Sequence, residues 1–175
     1  MADIPDKIVL KRHRDLKSYG FNRWVRYAVL TPIVTLLLLG LFNLFGQRPE
    51  KLYAEGPSAK LEVYAPSALR GGLLFEGRFT IYARQELKNA QIELSPGWSE
   101  GMQMNTIEPS PVGEGSRDGN LLFELGHVPK GDVYRLFTAF QVNPTNVAWH
   151  RNADVRLYDD GKLLFTVHRR ITIYP

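Results

Sequence analysis

From Tyr27 to Phe45 the chain runs YAVLTPIVTLLLLGLFNLF without one charged side chain. No other feature constrains the fold as much. At about 1.5 Å of rise per residue, a helix over this run approaches the roughly 30 Å hydrocarbon core of a bilayer. The run predicts a membrane-spanning helix over residues 27–46, dividing the chain into parts on opposite sides of a membrane. Pro32 falls in the first turns of such a helix, where a missing N–H is best tolerated. Asn43 falls near the outer end, within reach of water or headgroups.

The flanking charge sets the orientation. Lys7, Lys11, Arg12, Arg14, Lys17, Arg23 and Arg26 precede the run, against Asp3, Asp6 and Asp15. Lys and Arg close to a span are retained on the cytoplasmic side. Residues 1–26 are therefore expected to be a basic cytoplasmic segment, and the part after Gly46 periplasmic or extracellular. Arg23, Trp24, Arg26 and Tyr27 are the expected inner-interface residues, since amphipathic aromatics and cations gather at headgroup level. A cleaved signal peptide has a shorter apolar region, about 7–15 residues, ending in a small-x-small site. The nearest candidate, Leu52-Tyr53-Ala54, has large residues where small ones are needed. An uncleaved, single-pass signal-anchor in the inner membrane is the expectation. A buried core helix is the competing reading, and nothing else in the sequence supplies helices to surround one. With no cysteine, lipoprotein attachment, palmitoylation and disulfides are excluded. A disulfide-free domain outside the cytoplasm points to a bacterial protein.

The chain carries net charge +4 and a pI near 9.4, which on its face points to a polyanion partner. Dividing the charge removes that inference. Residues 1–46 hold seven Lys/Arg and three Asp/Glu, net +4, and residues 47–175 hold fifteen of each, net zero. The excess belongs to the inner flank, where it sets topology and attracts anionic lipid. The outer part has no overall field for nucleic acid. The stretch from Ile8 to Arg26 has apolar residues that would suit a helix lying on the membrane; Gly20 interrupts it, and a basic orienting tail is the simpler reading.

Gln47 to Ala59, polar with two prolines and a glycine, is expected to be a linker over residues 47–59. Residues 60–175 alternate with period two, the mark of half-buried strands. Leu61, Val63 and Ala65 alternate with Glu62 and Tyr64. Leu73, Phe75, Gly77, Phe79, Ile81 and Ala83 share a face, as do Ala90, Ile92 and Leu94. Leu121, Phe123 and Leu125 follow, then Tyr134, Leu136, Thr138, Phe140 and Val142, then Val155 and Leu157. One last strand from Lys162 to Tyr174 aligns Leu163, Phe165, Val167, Ile171 and Ile173, with Arg169 breaking its face at an expected bulge or edge. Asp160-Gly161 between two such runs signals a hairpin. The fold expected is all-β: an Ig-like antiparallel β-sandwich of seven or eight strands, with a barrel as the alternative.

The stretches HVPKGDVYRLFTAFQVNP and DVRLYDDGKLLFTVHRRITIYP resemble the long penultimate strand and closing hairpin of bacterial Ig-like surface modules of the CARDB type. The resemblance covers most of residues 60–175 and lies in strand-and-turn architecture. It implies an Ig-like fold and an interaction or structural role. No functional residue is carried over from it.

No catalytic, cofactor or metal-ligand spacing is present in the sequence. His127, His150 and His168 form none of the H-x-H or H-E-x-x-H patterns. Asp159-Asp160 is explained by its hairpin before any calcium site. Arg70-Gly71-Gly72 precedes a strand, so it is turn chemistry and no phosphate cradle. A hydrolase using Glu100, Asp118 and His127 has no supporting motif. Two tryptophans are expected in loops, Trp98 and Trp149, each either capping the sandwich or meeting a partner. Met102 and Met104 begin the stretch 101–119, the longest expected irregular segment. Together Trp98, Met102, Met104 and Trp149 are the candidate partner-binding residues. The expected function is a non-enzymatic accessory subunit or envelope assembly factor that contacts another membrane or envelope protein. The alternative is a glycan- or lipid-headgroup-binding module using the two tryptophans.

Overall fold

The computed structural model describes residues 19–42, 44 and 47–175. The basic residues from Lys7 to Lys17, and Asn43, lie outside them. The chain divides into two compact units, Met1–Leu44 and Phe45–Pro175.

The first unit contributes one helix, α1 (Tyr19–Leu41). The helix begins eight residues before the uncharged run and ends before Phe42. Arg23, Trp24, Arg26 and Tyr27 are exposed residues on the helix itself. Arg23–Leu41 is long and apolar enough to cross a membrane, and none of it is buried. Leu36 and Leu37 are 62% and 68% exposed, which speaks against the core-helix alternative. Pro32 lies mid-helix, contrary to the expectation of an early position. Its ring leaves the Ala28 carbonyl without an i+4 donor. The Thr35 hydroxyl turns back to donate to Thr31 O at 2.8 Å, which keeps that polar group satisfied along an apolar span.

The second unit is a sandwich of a seven-stranded and a five-stranded sheet. In chain order its strands are β1 (Arg48–Glu55), β2 (Ala59–Arg70), β3 (Leu74–Ala83), β4 (Leu87–Leu94), β5 (Met102–Glu108), β6 (Gly113–Arg117), β7 (Asn120–Val128), β8 (Val133–Val142), β9 (Ala148–Asn152), β10 (Val155–Asp159), β11 (Lys162–Val167) and β12 (Arg170–Tyr174). The larger sheet runs β5-β8-β3-β2-β12-β9 with β1 also on β2, and the smaller runs β11-β10-β4-β7-β6. All pairings are antiparallel except β12 on β2. The chain passes from one sheet to the other six times.

The alternating faces pack as the periodicity implies. Leu61, Phe79, Ile81, Ile92, Leu94, Leu136, Phe140, Val155 and Leu157 are fully covered between the sheets. Each such side chain contributes about 1.5–3 kcal/mol on leaving water. Asp160 (φ 49°) and Gly161 (φ 77°) form a two-residue left-handed turn between β10 and β11, as the Asp-Gly signal requires.

Four expectations are corrected. Residues 48–55 are no linker: they pair with β2 from Arg48↔Ala68 to Glu55↔Lys60, because Leu52 and Ala54 give this polar segment an inward face that packs on the core. The stretch 101–119 is no irregular loop, but β5 and β6 placed in opposite sheets. The expected last strand is two strands: β11 ends at Val167 in the smaller sheet and β12 begins at Arg170 in the larger. Arg169 therefore marks a passage between sheets, where a bulge or edge was expected. The strand total consequently exceeds seven or eight.

Candidate functional site

One end of the sandwich is built where two passages run side by side. Ala153 and Asp154 lead from β9 to β10, and His168 and Arg169 lead from β11 to β12. Ala153 N–H donates to Arg169 O at 2.8 Å. The Asp154 carboxylate accepts from Arg169 N–H at 3.0 Å and contacts His168 Nδ1 at 3.3 Å.

Trp98 lies beneath these passages. It ends a 3-10 turn, Pro96–Trp98, and is 1% exposed. Its ring meets Phe75, Phe79 and Phe140 at centroid distances of 6.4, 5.4 and 5.5 Å. Its Nε1–H donates to Ala153 O at 2.9 Å. Gly97 permits this approach: a Cβ there would sit 1.9 Å from Asn152 O. Trp98 is thus a core residue, unavailable to a partner. Met102 is buried, and Met104 is half-buried against the core. Of the four candidate partner-binding residues only Trp149 is well exposed, at 65%. The four do not share a surface.

Arg169 lies against Trp98. It is 4% exposed, with its guanidinium 4.8 Å over the indole and Nη2 donating to Pro66 O. This carbonyl belongs to the irregular part of β2, where the β1 register shifts. Only one of its five N–H donors has a protein acceptor among the described residues, and no carboxylate there forms an ion pair with it. Burial pushes the guanidinium down to about 10, against an opposing pull from Glu50, so it stays a cation at neutral pH.

Above Arg169 a groove crosses the outer face of the larger sheet. Ile171 and Ile173 point inward, which turns Arg170, Thr172 and Tyr174 outward. Thr172 is opposite Ala68, Ala68 is opposite Arg48, and His150 N–H meets Thr172 Oγ1 at 3.5 Å. A row Arg48–Ala68–Thr172–His150 therefore crosses a column Arg170–Thr172–Tyr174. The small side chains at their intersection form a floor, and the long ones form a rim. Two adjoining hollows result, about 410 Å³ each. Both contain His168, Arg169 and Arg170. Beyond Tyr174, Trp149 meets its ring edge-on at 5.4 Å and 89°, and these two line a cleft of about 370 Å³ with Arg70 and Pro175.

The other candidates disperse. His127 pairs with Glu86 at 3.0 Å. Asp118 occupies the turn before β7 and His127 its far end, on the order of 20 Å away at strand rise, while Glu100 neighbours Arg151 at 3.7 Å. The Glu100–Asp118–His127 trio is not assembled. Among the described residues no group of three His, Cys, Asp or Glu could hold a metal ion. On the outer face of the smaller sheet, Glu93 is 1% exposed and bound by Arg156 at 2.5 Å and Asn120 at 2.9 Å. That carboxylate raises the Arg156 guanidinium above its ordinary value, chiefly through the hydrogen bond.

Sequence reasoning missed the groove. Its usable signal was Arg169-Arg170 interrupting an apolar alternation, followed by outward Thr172 and Tyr174. What was illegible is that β1, β2, β9 and β12, separated by up to 120 residues, meet there.

No family model matches the sequence, and neither does any curated protein. Similar solved structures include the chitin-binding domain of a chitinase from Pyrococcus furiosus, 14% identical, TM-score 0.41, covering 61% of this chain and 97% of that one. The sporulation control protein Spo0M from Bacillus subtilis is 14% identical, TM-score 0.40, covering 67% and 50%. AvmM, described as catalysing macrocyclisation in alchivemycin A biosynthesis, is 7% identical, TM-score 0.42, covering 74% and 96%. At these scores the likenesses carry no argument, and the class of the second unit, a two-layer β-sandwich, stands on its own sheets.

Proposed function

We propose that this is a single-pass inner-membrane protein, N-terminus cytoplasmic, that presents its sandwich outside the membrane as a non-catalytic accessory subunit contacting another membrane or envelope protein. The observation that carries the reading is the cluster of Trp149, Tyr174 and Arg70 around one cleft. Trp, Tyr and Arg are the residue types that dominate interface hot spots, and Trp149 stays 65% exposed beside the Tyr174 ring. The unburied apolar helix supports the anchor, and the CARDB-type resemblance agrees with an interaction role. The two-tryptophan form of the glycan reading loses Trp98 to the core.

Co-purification of the full chain from mild detergent after in-cell crosslinking tests this. A defined partner is expected with the wild type and is lost with Trp149→Ala while the sandwich keeps its unfolding midpoint. Recovery of the chain as a monomer, or a partner insensitive to Trp149→Ala, argues against the proposal.

A further inference from the structure

We propose that the groove formed by Arg48, His150, His168, Arg169 and Arg170 is a binding site for a phosphate group. This inference is independent of the protein-contact reading at Trp149. It starts from an imbalance within a domain of net charge zero. Three guanidinium groups and two imidazoles face one hollow, with Glu50 as the opposing acid beside Asp154. Asp154 is already engaged by the Arg169 backbone and His168. Glu50 acts on Arg169 without forming an ion pair with it. The side chains of Arg170 and His150 have no hydrogen-bond or ion-pair partner among the described residues.

Arg169 is the second observation. A desolvated cation is normally offset by a paired anion. Here the π face of Trp98 and one backbone carbonyl stabilise it, and none of its nitrogens that lack a hydrogen bond is wholly shielded from the groove. An anion seated on the floor would supply the missing counter-charge and acceptors.

The donor arrangement selects the anion. A carboxylate is satisfied by one guanidinium fork. The groove instead offers donors from below through Arg169, from one end through Arg170, and from the side through His150. Ser67 and Thr172 add hydroxyls; Thr172 Oγ1 accepts from His150 N–H, leaving its own hydrogen to donate. Convergence from several directions fits a tetrahedral group with three or four acceptor oxygens. Such a group occurs on a phospholipid headgroup and on soluble phosphate compounds.

The test uses the full chain in maltoside micelles, with arginine side-chain and imidazole NMR signals followed during two separate titrations. One probe is inorganic phosphate and the other is short-chain phosphatidylglycerol. Saturable shifts at Arg170, His150 and His168 are expected with at least one probe. Saturation by inorganic phosphate identifies a soluble source as sufficient, and saturation by phosphatidylglycerol alone identifies the headgroup; either upholds the site. Arg170→Gln is expected to weaken binding about tenfold or more, the scale of one charge-assisted contact. Arg84→Gln, on a cation paired with Glu55 at 2.6 Å, leaves it unchanged. His150→Gln serves as the second variant if Arg170→Gln perturbs folding. Unsaturable shifts with both probes, or wild-type affinity in the folded groove variant, overturn the assignment.

Discussion

Replacing Trp98 with phenylalanine separates a core role from a contact role by magnitude. The Phe ring retains part of the packing against Phe75, Phe79 and Phe140. It loses the Nε1–H bond to Ala153 O, leaving that carbonyl unsatisfied in a buried place at about 1–3 kcal/mol. The smaller ring leaves a void worth on the order of 1 kcal/mol. Weaker contact with the Arg169 guanidinium removes about another 1 kcal/mol of cation–π attraction. The sum is about 3–5 kcal/mol, a large share of a domain's marginal stability. For a domain of this size that lowers the midpoint by roughly 10–20 °C. Thermal and urea unfolding of the full chain in detergent, followed by near-ultraviolet circular dichroism, reads the change directly. A Trp98→Phe protein whose stability stays within about 0.5 kcal/mol of wild type, but which loses a bound partner, would refute the placement of Trp98 in the core.

Gly97→Ala drives a methyl into Asn152 O, an atom of the backbone that cannot rotate away, and destabilises by about 1–3 kcal/mol or more in the same assay; an unaltered midpoint would show that the passage yields freely. Gly161→Ala and Gly119→Ala, at φ 77° and 80°, each lose about 1–2 kcal/mol, and a neutral result at both would contradict the left-handed turns. Arg169 gives stability an unusual pH dependence. Its folded-state value of about 10 lies below that of an arginine in the unfolded chain, so burial of its charge opposes folding below about pH 10. That opposition is relieved as pH rises above about 10, where the unfolded chain holds more protons, by up to about 1.4 kcal/mol per pH unit. Urea titrations comparing wild type with Arg169→Met between pH 9 and 11 should show the wild type gaining relative to the variant at the upper end; parallel curves would exclude the buried cation.

The legible parts of the fold were those where one face is apolar and the other polar over several residues. β3, β4, β8 and β10 were recovered with their inward residues, except Leu73, which lies exposed ahead of β3, because period-two alternation is a direct image of a half-buried strand. β5 was illegible for a specific reason. Met102 and Met104 alternate, but the pairing slips between Met104 and Thr106, so Ile107 falls out of phase and the pattern dissolves among prolines and glycines. β6 has no apolar face to detect, since GEGSR is held by its ladder to β7. Its hairpin was nevertheless written in the chain: Asp118-Gly119 carries the same signal as Asp160-Gly161, and the two turns share positive φ. For the tryptophans, local sequence was ambiguous by nature. Pro96-Gly97-Trp98 looks like a surface loop until Gly97 is seen to admit the passage that covers it. The groove is assembled from elements distant along the chain, and only their register reveals which arginines converge.

β12 also constrains the order of events when the domain is made. It is the final strand, yet it lies inside the larger sheet between β2 and β9, and it brings Ile171 and Ile173 to the core. Because the strands keep changing sheet, only β1 to β3 and the hairpins β6–β7 and β10–β11 pair consecutive strands within one sheet as they emerge. Contacts of such long sequence separation make for slow condensation. During vectorial synthesis the larger sheet keeps an open seam until β12 arrives. A chain stalled before Arg170 would present an unpaired β9 edge and an unfilled core. Such an intermediate is a natural substrate for chaperones and proteases, and its lifetime would be set by delivery of β12.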